Sequence, residues 1–351
     1  ARMRAILARG SHREIGRALG EEGGKAFRES VLESERYLGL RPWLGSDRVA
    51  PILAASRDAC PAFIEEIEGI GEGAGVPFEQ IFLWNCRGDL PSPSHGSEGC
   101  TSIMLPPAAS RPATIAHNED GGANLAGQGF IARVEPDRGL GFTAFCYPGM
   151  LPGHAFAMND AGLVQAINNI SPHDLSVGIA RHVVCRAVLA SGRLDEALGW
   201  LRRTDRAAGF HHNLASAREN RLVSVEAPAS GCVAKPVLGP MAHANHLIFG
   251  EFSDLAQIVP PSTAARQARA QALLAETEDP LDILFDRANE RLPILCRGEE
   301  ESGRSYTLAT ALFRIEPSGI ALDVFEGPER SPVYSSAIEL GAEIGAEVSR
   351  A

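Results

Sequence analysis

The chain has no surplus of positive charge. Lysine and arginine number 33 against 44 aspartates and glutamates, a formal charge of −11 over 351 residues. Affinity for nucleic acid comes largely from neutralised phosphates, and no basic run here supplies it, so no nucleic-acid partner is expected. The same deficit gives no purchase on an anionic membrane surface. No stretch nears the ~18 consecutive apolar residues of a membrane span. The opening residues Ala1–Leu7 meet charge at Arg9 and His12, too soon for a secretory apolar region, and Met3 is expected to be the native initiator. Paired cysteines are missing too. The seven are Cys60, Cys86, Cys100, Cys146, Cys185, Cys232 and Cys296, odd in number and scattered, with no Cys-x-x-Cys. That fits a reducing, cytoplasmic compartment. Repeats and low-complexity tracts are also absent. What remains is a folded chain, 44% hydrophobic and 22% charged, long enough for one large or two modest domains.

The first hundred residues read as helical. Apolar residues at Phe27, Val31, Leu32, Tyr37 and Leu38 follow helical spacing, interrupted by Gly20, Gly23 and Gly24. Arg48–Gly69 reads as a second helical stretch, and Phe78–Cys86 carries another apolar patch. Pro91–Ser97, rich in Pro and Ser, reads as a linker. Beyond it the period changes to two. Cys100–Leu105 and Ala113–His117 suggest a hairpin, and short strands follow at Phe130–Glu135, Gly141–Tyr147, Ala155–Asn159 and Gly162–Ile170. Val183–Arg203 reads as helical in two pieces broken at Ser191-Gly192. Strands return over residues 213–235, helices at Thr263–Glu276 and Pro280–Arg291, and a last hairpin joins Ser305–Ile315 to Gly319–Glu326. Helices, strands, helices, strands describe an α+β chain whose antiparallel sheets are covered by helices.

Four short motifs carry chemistry. Gly99-Cys100-Thr101-Ser102 puts a thiol at the first position of a strand, straight after the linker. His117-Asn118-Glu119-Asp120 ends the partner strand and brings two carboxylates and an amide near Cys100. Met241–His246 is a polar cluster in which His243 and His246 flank Asn245. Arg304 stands at the entry to a late strand. Taken singly each is ordinary: a buried thiol, a polar turn, a histidine loop, a solvated arginine. The histidine cluster lacks a second ligand pair at zinc spacing, so neither a metal nor a cofactor is expected.

In this order and spacing the motifs resemble the acyl-coenzyme A:6-aminopenicillanic acid acyltransferase family, a cysteine branch of the N-terminal nucleophile hydrolases. Arg13–Gly16 and Trp84–Asp89 resemble its pro-region, so the likeness runs through almost the whole chain. The resemblance implies a four-layer αββα sandwich made as an inactive precursor. It implies a helical pro-region or small subunit at 1–99 and a catalytic core at 100–351, divided by self-cleavage between Gly99 and Cys100. The fragments would stay together as a heterodimer. Cys100 would attack the Gly99 carbonyl, and the freed α-amine, with a reference pKa of about 7.7–8.0, would then serve as its own base. Asp120 would orient that amine, Asn245 would donate to the oxyanion, and Arg304 would balance charge near Asp120. Asn118, His117 and His243 would stand behind them. His117 and Glu119 depart from the penicillin enzyme's pattern, in which an aromatic precedes the Asp.

The function so implied is cleavage or transfer of an acyl group from a small amide or N-acyl compound through a Cys100 thioester. An acyl-CoA-dependent N-acyltransferase, using an acyl thioester, is the alternative. Two rivals differ in kind: a papain-like pairing of uncut Cys100 with His117 or His243, and a non-catalytic binding protein that keeps the fold.

Overall fold

The structure, a computed structural model, describes residues 3–92, 99–297 and 305–341. Positions 93–97 of the linker, and Arg304, lie outside these. A first strand, β1 (Ala5–Gly10), leads into helix α1 (His12–Ala26). Ser11 caps that helix: its hydroxyl accepts from the Glu14 backbone while the Glu14 carboxylate accepts from the Ser11 N–H at 2.8 Å. Local pattern shows no strand at 5–10 and reads Gly20, Gly23 and Gly24 as interruptions. The helix instead runs straight through them. Helices α2 (Glu35–Leu40) and α3 (Val49–Ala59) follow, then α4 (Pro61–Ala74) and α5 (Phe78–Asn85). A Cβ at Gly16 or Gly20 would strike the α4 backbone, so these glycines let two helix backbones touch. The single helix expected over 48–69 is two, because Pro61 cannot continue α3 and starts α4 instead.

From Cys100 onward the chain alternates as read. It forms β2 (Cys100–Leu105), β3 (Ala113–Gly122), β4 (Phe130–Pro136), β5 (Phe142–Cys146), β6 (Phe156–Asn159) and β7 (Leu163–Asn169). Helices α6 (Arg181–Leu189) and α7 (Leu194–Leu201) are separated where Ser191-Gly192 was expected to part them. Then come β8 (Phe210–Ser216), β9 (Arg221–Ala227), β10 (Val233–Pro236) and β11 (Met241–His243), helices α8 (Pro261–Leu273) and α9 (Pro280–Leu284), and β12 (Ser305–Glu316), β13 (Gly319–Phe325) and β14 (Tyr334–Glu339). The helix expected over 280–291 stops at Leu284. Beyond it Asp286 and Asn289 take the Ala288, Arg291 and Leu292 backbone N–H groups onto their side chains, a local alternative to the helix.

Among the described residues two sheets form. One has eight strands in the order β1-β4-β5-β6-β7-β8-β9-β10, and the other six, β11-β2-β3-β12-β13-β14. Their inner faces meet. Met104, Ile115 and Phe313 from the smaller sheet share one core with the larger sheet, while Ser102 on β2 hydrogen-bonds Asn168 on β7 at 2.8 Å. Alternate residues Ile103, Leu105 and Ala116 point the other way, under Ala270, Leu273, Ile283 and Leu284 of α8 and α9. Helices α1, α6 and α7 cover the outer face of the larger sheet. The layers are therefore helix, sheet, sheet, helix, as the resemblance implied. The segment before Cys100 is woven into this: β1 pairs in parallel with β4, from Ala5 opposite Ile131 to Gly10 opposite Pro136. Glu66 of α4 is fully buried and accepts two 3.1 Å bonds from Arg186 of α6.

Candidate active site

Cys100 opens β2, and its whole backbone is held. Its N–H donates to Asn245 Oδ1 at 2.7 Å, and its carbonyl accepts from Arg266 Nη1 at 2.6 Å. Arg266, on α8, also donates to Thr101 Oγ1 (2.9 Å) and to Asn245 Oδ1 (2.8 Å). Two donors converge on that oxygen, which fixes the amide orientation: Asn245 Nδ2 faces the Asn169 carbonyl at 3.0 Å. Gly99 is buried beside this guanidinium, and a Cβ there would meet Arg266 Nη2. Arg266 was not foreseen. In sequence it is one of two arginines in an Ala-rich amphipathic helix, and only the fold carries it to Cys100.

The register of β2 against β3 decides which carboxylate faces the sulfur. Cys100 lies opposite Glu119, Thr101 opposite Asn118 and Ser102 opposite His117. Opposed residues share a face, so Cys100, Glu119, Ser102 and His117 look inward. Asn118 looks outward: its Nδ2 donates to the Leu284 carbonyl at 2.7 Å and its Oδ1 accepts from Thr310 at 2.6 Å. Its side chain is a strut for the outer helical layer and is not brought to the thiol. The Asp120 carboxylate accepts from Thr307 Oγ1 at 2.6 Å, while its backbone N–H bonds the Cys100 sulfur. Glu119 accepts from Tyr147 Oη at 2.5 Å and shares a 2.9 Å bond with His117 Nε2. His117 Nδ1 meets Ser102 Oγ at 2.8 Å. His243 lies apart, bonded to the Ala244 carbonyl and to Glu226, with its ring stacked on His211 at 3.3 Å. Among the described residues neither His117 nor His243 hydrogen-bonds the Cys100 sulfur.

Cys100 is 4% exposed. Burial, then the charges of Glu119 and Asp120, push its thiol well above the ordinary range. The sulfur borders a cavity of about 20 Å³ between Glu119, Arg87, Arg181, His154 and Phe210, room for roughly one water. Part of that wall comes from the N-terminal segment. The Arg87 carbonyl accepts from Arg181 Nε at 2.9 Å, and Asp89 accepts from the Arg181 backbone N–H at 3.0 Å. Trp84–Asp89 thus grips the helix that lines the site. Asn85 ties down the 149–151 loop, donating to the Gly149 carbonyl and accepting from the Leu151 N–H.

The buried histidines set a response to acid. Burial, with Arg87 nearby, lowers His154 to about 3, and burial beside Arg206 lowers His212 to about 3. In the unfolded chain both titrate near 6.5. Between those values the unfolded chain binds more protons, so stability is complete above pH ~6.5 and is lost as pH falls towards 3. The thermal midpoint should drop steadily below pH 6.5, and His212→Gln should flatten that slope in a calorimetric pH series. A slope unchanged in the variant would contradict the assignment.

Comparison with known proteins adds a family. The family model described as acyl-coenzyme A:6-aminopenicillanic acid acyl-transferase matches residues 108–327. That span takes in Asp120, Asn245 and Arg304 and begins beyond Cys100. A beta-alanyl-dopamine/carcinine hydrolase of Drosophila melanogaster is 29% identical over 215 residues, 55% of this chain and 55% of that protein. The match therefore spans about half the length of that relative. Two solved structures also align, each covering 69% of this chain. The conjugated bile acid hydrolase of Clostridium perfringens does so over 92% of its own length, at 13% identity and a TM-score of 0.42. The penicillin V acylase of Agrobacterium tumefaciens does so over 86%, at 12% identity and a TM-score of 0.39.

Proposed function

This chain belongs to the acyl-coenzyme A:6-aminopenicillanic acid acyl-transferase family, and from that premise we propose that it is a self-processing cysteine amidohydrolase or acyltransferase. Its nucleophile is Cys100, freed by cleavage after Gly99. The observation that carries this is the seating of Cys100. A residue whose N–H and carbonyl are both clamped, with its sulfur against a carboxylate, is positioned for chemistry at its own nitrogen and sulfur. Once the Gly99–Cys100 bond is cut, the amide N–H on Asn245 becomes an amine in the same seat. Its reference pKa of about 7.7–8.0 suits a base working near neutrality. That base supplies the proton acceptor a buried, neutral thiol needs.

Asn245 holds the amine through Oδ1, and the Nδ2 hydrogen not spent on Asn169 is the donor for a tetrahedral oxyanion. One such donor is worth about 10²–10³ in rate. Asp120 offers its N–H to the sulfur and its carboxylate to the local charge balance, with Arg304 as the proposed counter-charge. Arg266 keeps the Cys100 carbonyl and the Asn245 amide in register. The substrate proposed is a small N-acyl amine, the class to which the Drosophila relative's name points. Water as acceptor gives hydrolysis, and an amine gives transfer.

The test is to mix the protein with a panel of N-acyl amines, β-alanyl amides among them, quench in acid and weigh the fragments. The expected result is a product burst and an acyl adduct on the 100–351 fragment, both abolished by iodoacetamide. Turnover that iodoacetamide leaves untouched would refute the Cys100 thioester, and an adduct formed only from acyl-CoA would favour the N-acyltransferase.

A further inference from the structure

The first cut poses a problem that later turnovers do not. Before Gly99–Cys100 is broken the Cys100 nitrogen is an amide, so the base used afterwards does not yet exist. The inner face of β3 offers another.

Hydrogen-bond bookkeeping fixes its proton. Asn168 Nδ2 donates to the His243 carbonyl at 3.2 Å, which turns Asn168 Oδ1 towards Ser102 Oγ at 2.8 Å. That oxygen only accepts, so the Ser102 hydroxyl donates to it. His117 Nδ1, 2.8 Å from Ser102 Oγ, must then carry a hydrogen. His117 Nε2 faces Glu119 Oε2 at 2.9 Å, and two bare lone pairs would not meet so closely, so one proton lies between them. The other Glu119 oxygen takes the Tyr147 hydroxyl. His117 is thus committed at both nitrogens; with the shared proton on Nε2 it is an imidazolium facing the Glu119 carboxylate, a pair of no net charge whose unspent lone pairs lie on Glu119. The Cys100 sulfur, a His117 nitrogen and a Glu119 oxygen all lie within 4.8 Å of one another.

We propose that Glu119 is the general base of the self-cleavage, a step resting on the reading of Cys100 as the self-cleaving nucleophile. Glu119 takes the thiol proton as the sulfur–carbon bond to Gly99 forms, and it returns that proton to the Cys100 nitrogen as the carbon–nitrogen bond breaks. The amide becomes a thioester and an amine, with Glu119 restored. Water then opens the thioester, giving the Gly99 carboxyl and the Cys100 thiol. His117 is a positioning residue, and the Tyr147 hydroxyl holds the other Glu119 oxygen. The other charged or titratable groups around this point are Asp120, Arg36, Arg87, Arg181, Arg266, His154 and His182. Burial and the Glu119 charge hold the resting thiol neutral, so its proton must leave in step with attack.

The experiment follows the intact mass of freshly synthesised full-length chain over time and pH. Glu119→Gln keeps the shape and should cut about 10²–10⁴ more slowly than wild type. Glu119→Ala, checked as folded by circular dichroism, should be equally slow and be speeded by added formate, which a merely structural role would not explain. Glu119→Gln cutting at the wild-type rate, or folded Glu119→Ala indifferent to formate, would overturn the Glu119 assignment alone. A wild-type chain that stays continuous while turning over substrate would overturn the Cys100 reading, and this proposal with it.

Discussion

Replacing Cys100 by alanine should leave one continuous 351-residue chain on a denaturing gel and remove turnover. The two losses share one cause. Alanine keeps the backbone N–H on Asn245 and the carbonyl on Arg266, so the fold around the site persists. What goes is the sulfur, and with it both the attack on Gly99 and the acyl carrier. Deleting the nucleophile of an acyl-transferring enzyme costs on the order of 10⁶ in kcat, far beyond what loss of one oxyanion donor explains. Intact mass and a turnover assay check it together. A Cys100→Ala chain that still divides before residue 100 would place the cleaving group elsewhere. An undivided chain that still turns over would leave Cys100 no role in chemistry.

The second large effect concerns stability. Glu66→Ala should lower unfolding free energy by about 3–5 kcal/mol, the usual cost of stripping one partner from a buried ion pair. Glu66 is fully buried, Arg186 nearly so, and the guanidinium lies 4.5 Å from the centres of the Phe63 and Phe142 rings. Burial by itself would raise the Glu66 carboxyl. Arg186 and His12 outweigh it and hold the group below its ordinary value. With Glu66 gone, a cation is left among aromatic rings with no carboxylate. At ~2–4 °C per kcal/mol for a chain of this size, the thermal midpoint should fall by roughly 10 °C. A scanning calorimetry trace unchanged by the substitution would contradict the geometry. Replacing Glu66 and Arg186 together by apolar residues should cost less than Glu66→Ala alone, because no charge is then stranded.

Much of this architecture is legible in the sequence wherever periodicity is local. Strands β2 to β9 show their period of two, and α6 and α7 part where Ser191-Gly192 says they should. Contacts between distant segments are not legible. Glycine costs helix propensity in isolation, so Gly20 and Gly24 look like breaks until α1 and α4 are seen pressed together there. Strand β1 is six residues with one arginine and a terminal glycine, and only its neighbour β4 makes it a strand. The same limit divides the site. Asn245 and Asp120 both contact Cys100. A motif does not say which way a side chain points, however, and strand alternation turns Asn118 outward and Glu119 inward. Arg266 has no signal at all in the sequence, because its partners are a backbone carbonyl and an amide supplied by the far side of the fold.

One consequence follows from the parallel pairing of β1 with β4. A leader that supplies the rim of the larger sheet, and part of the wall around the thiol, is no detachable wrapper. Severing the chain ahead of Cys100 would turn a single gene product into an obligate couple whose members have no finished surface alone. Dilution should not part them, and two separately expressed halves should find each other only by completing one another's sheet.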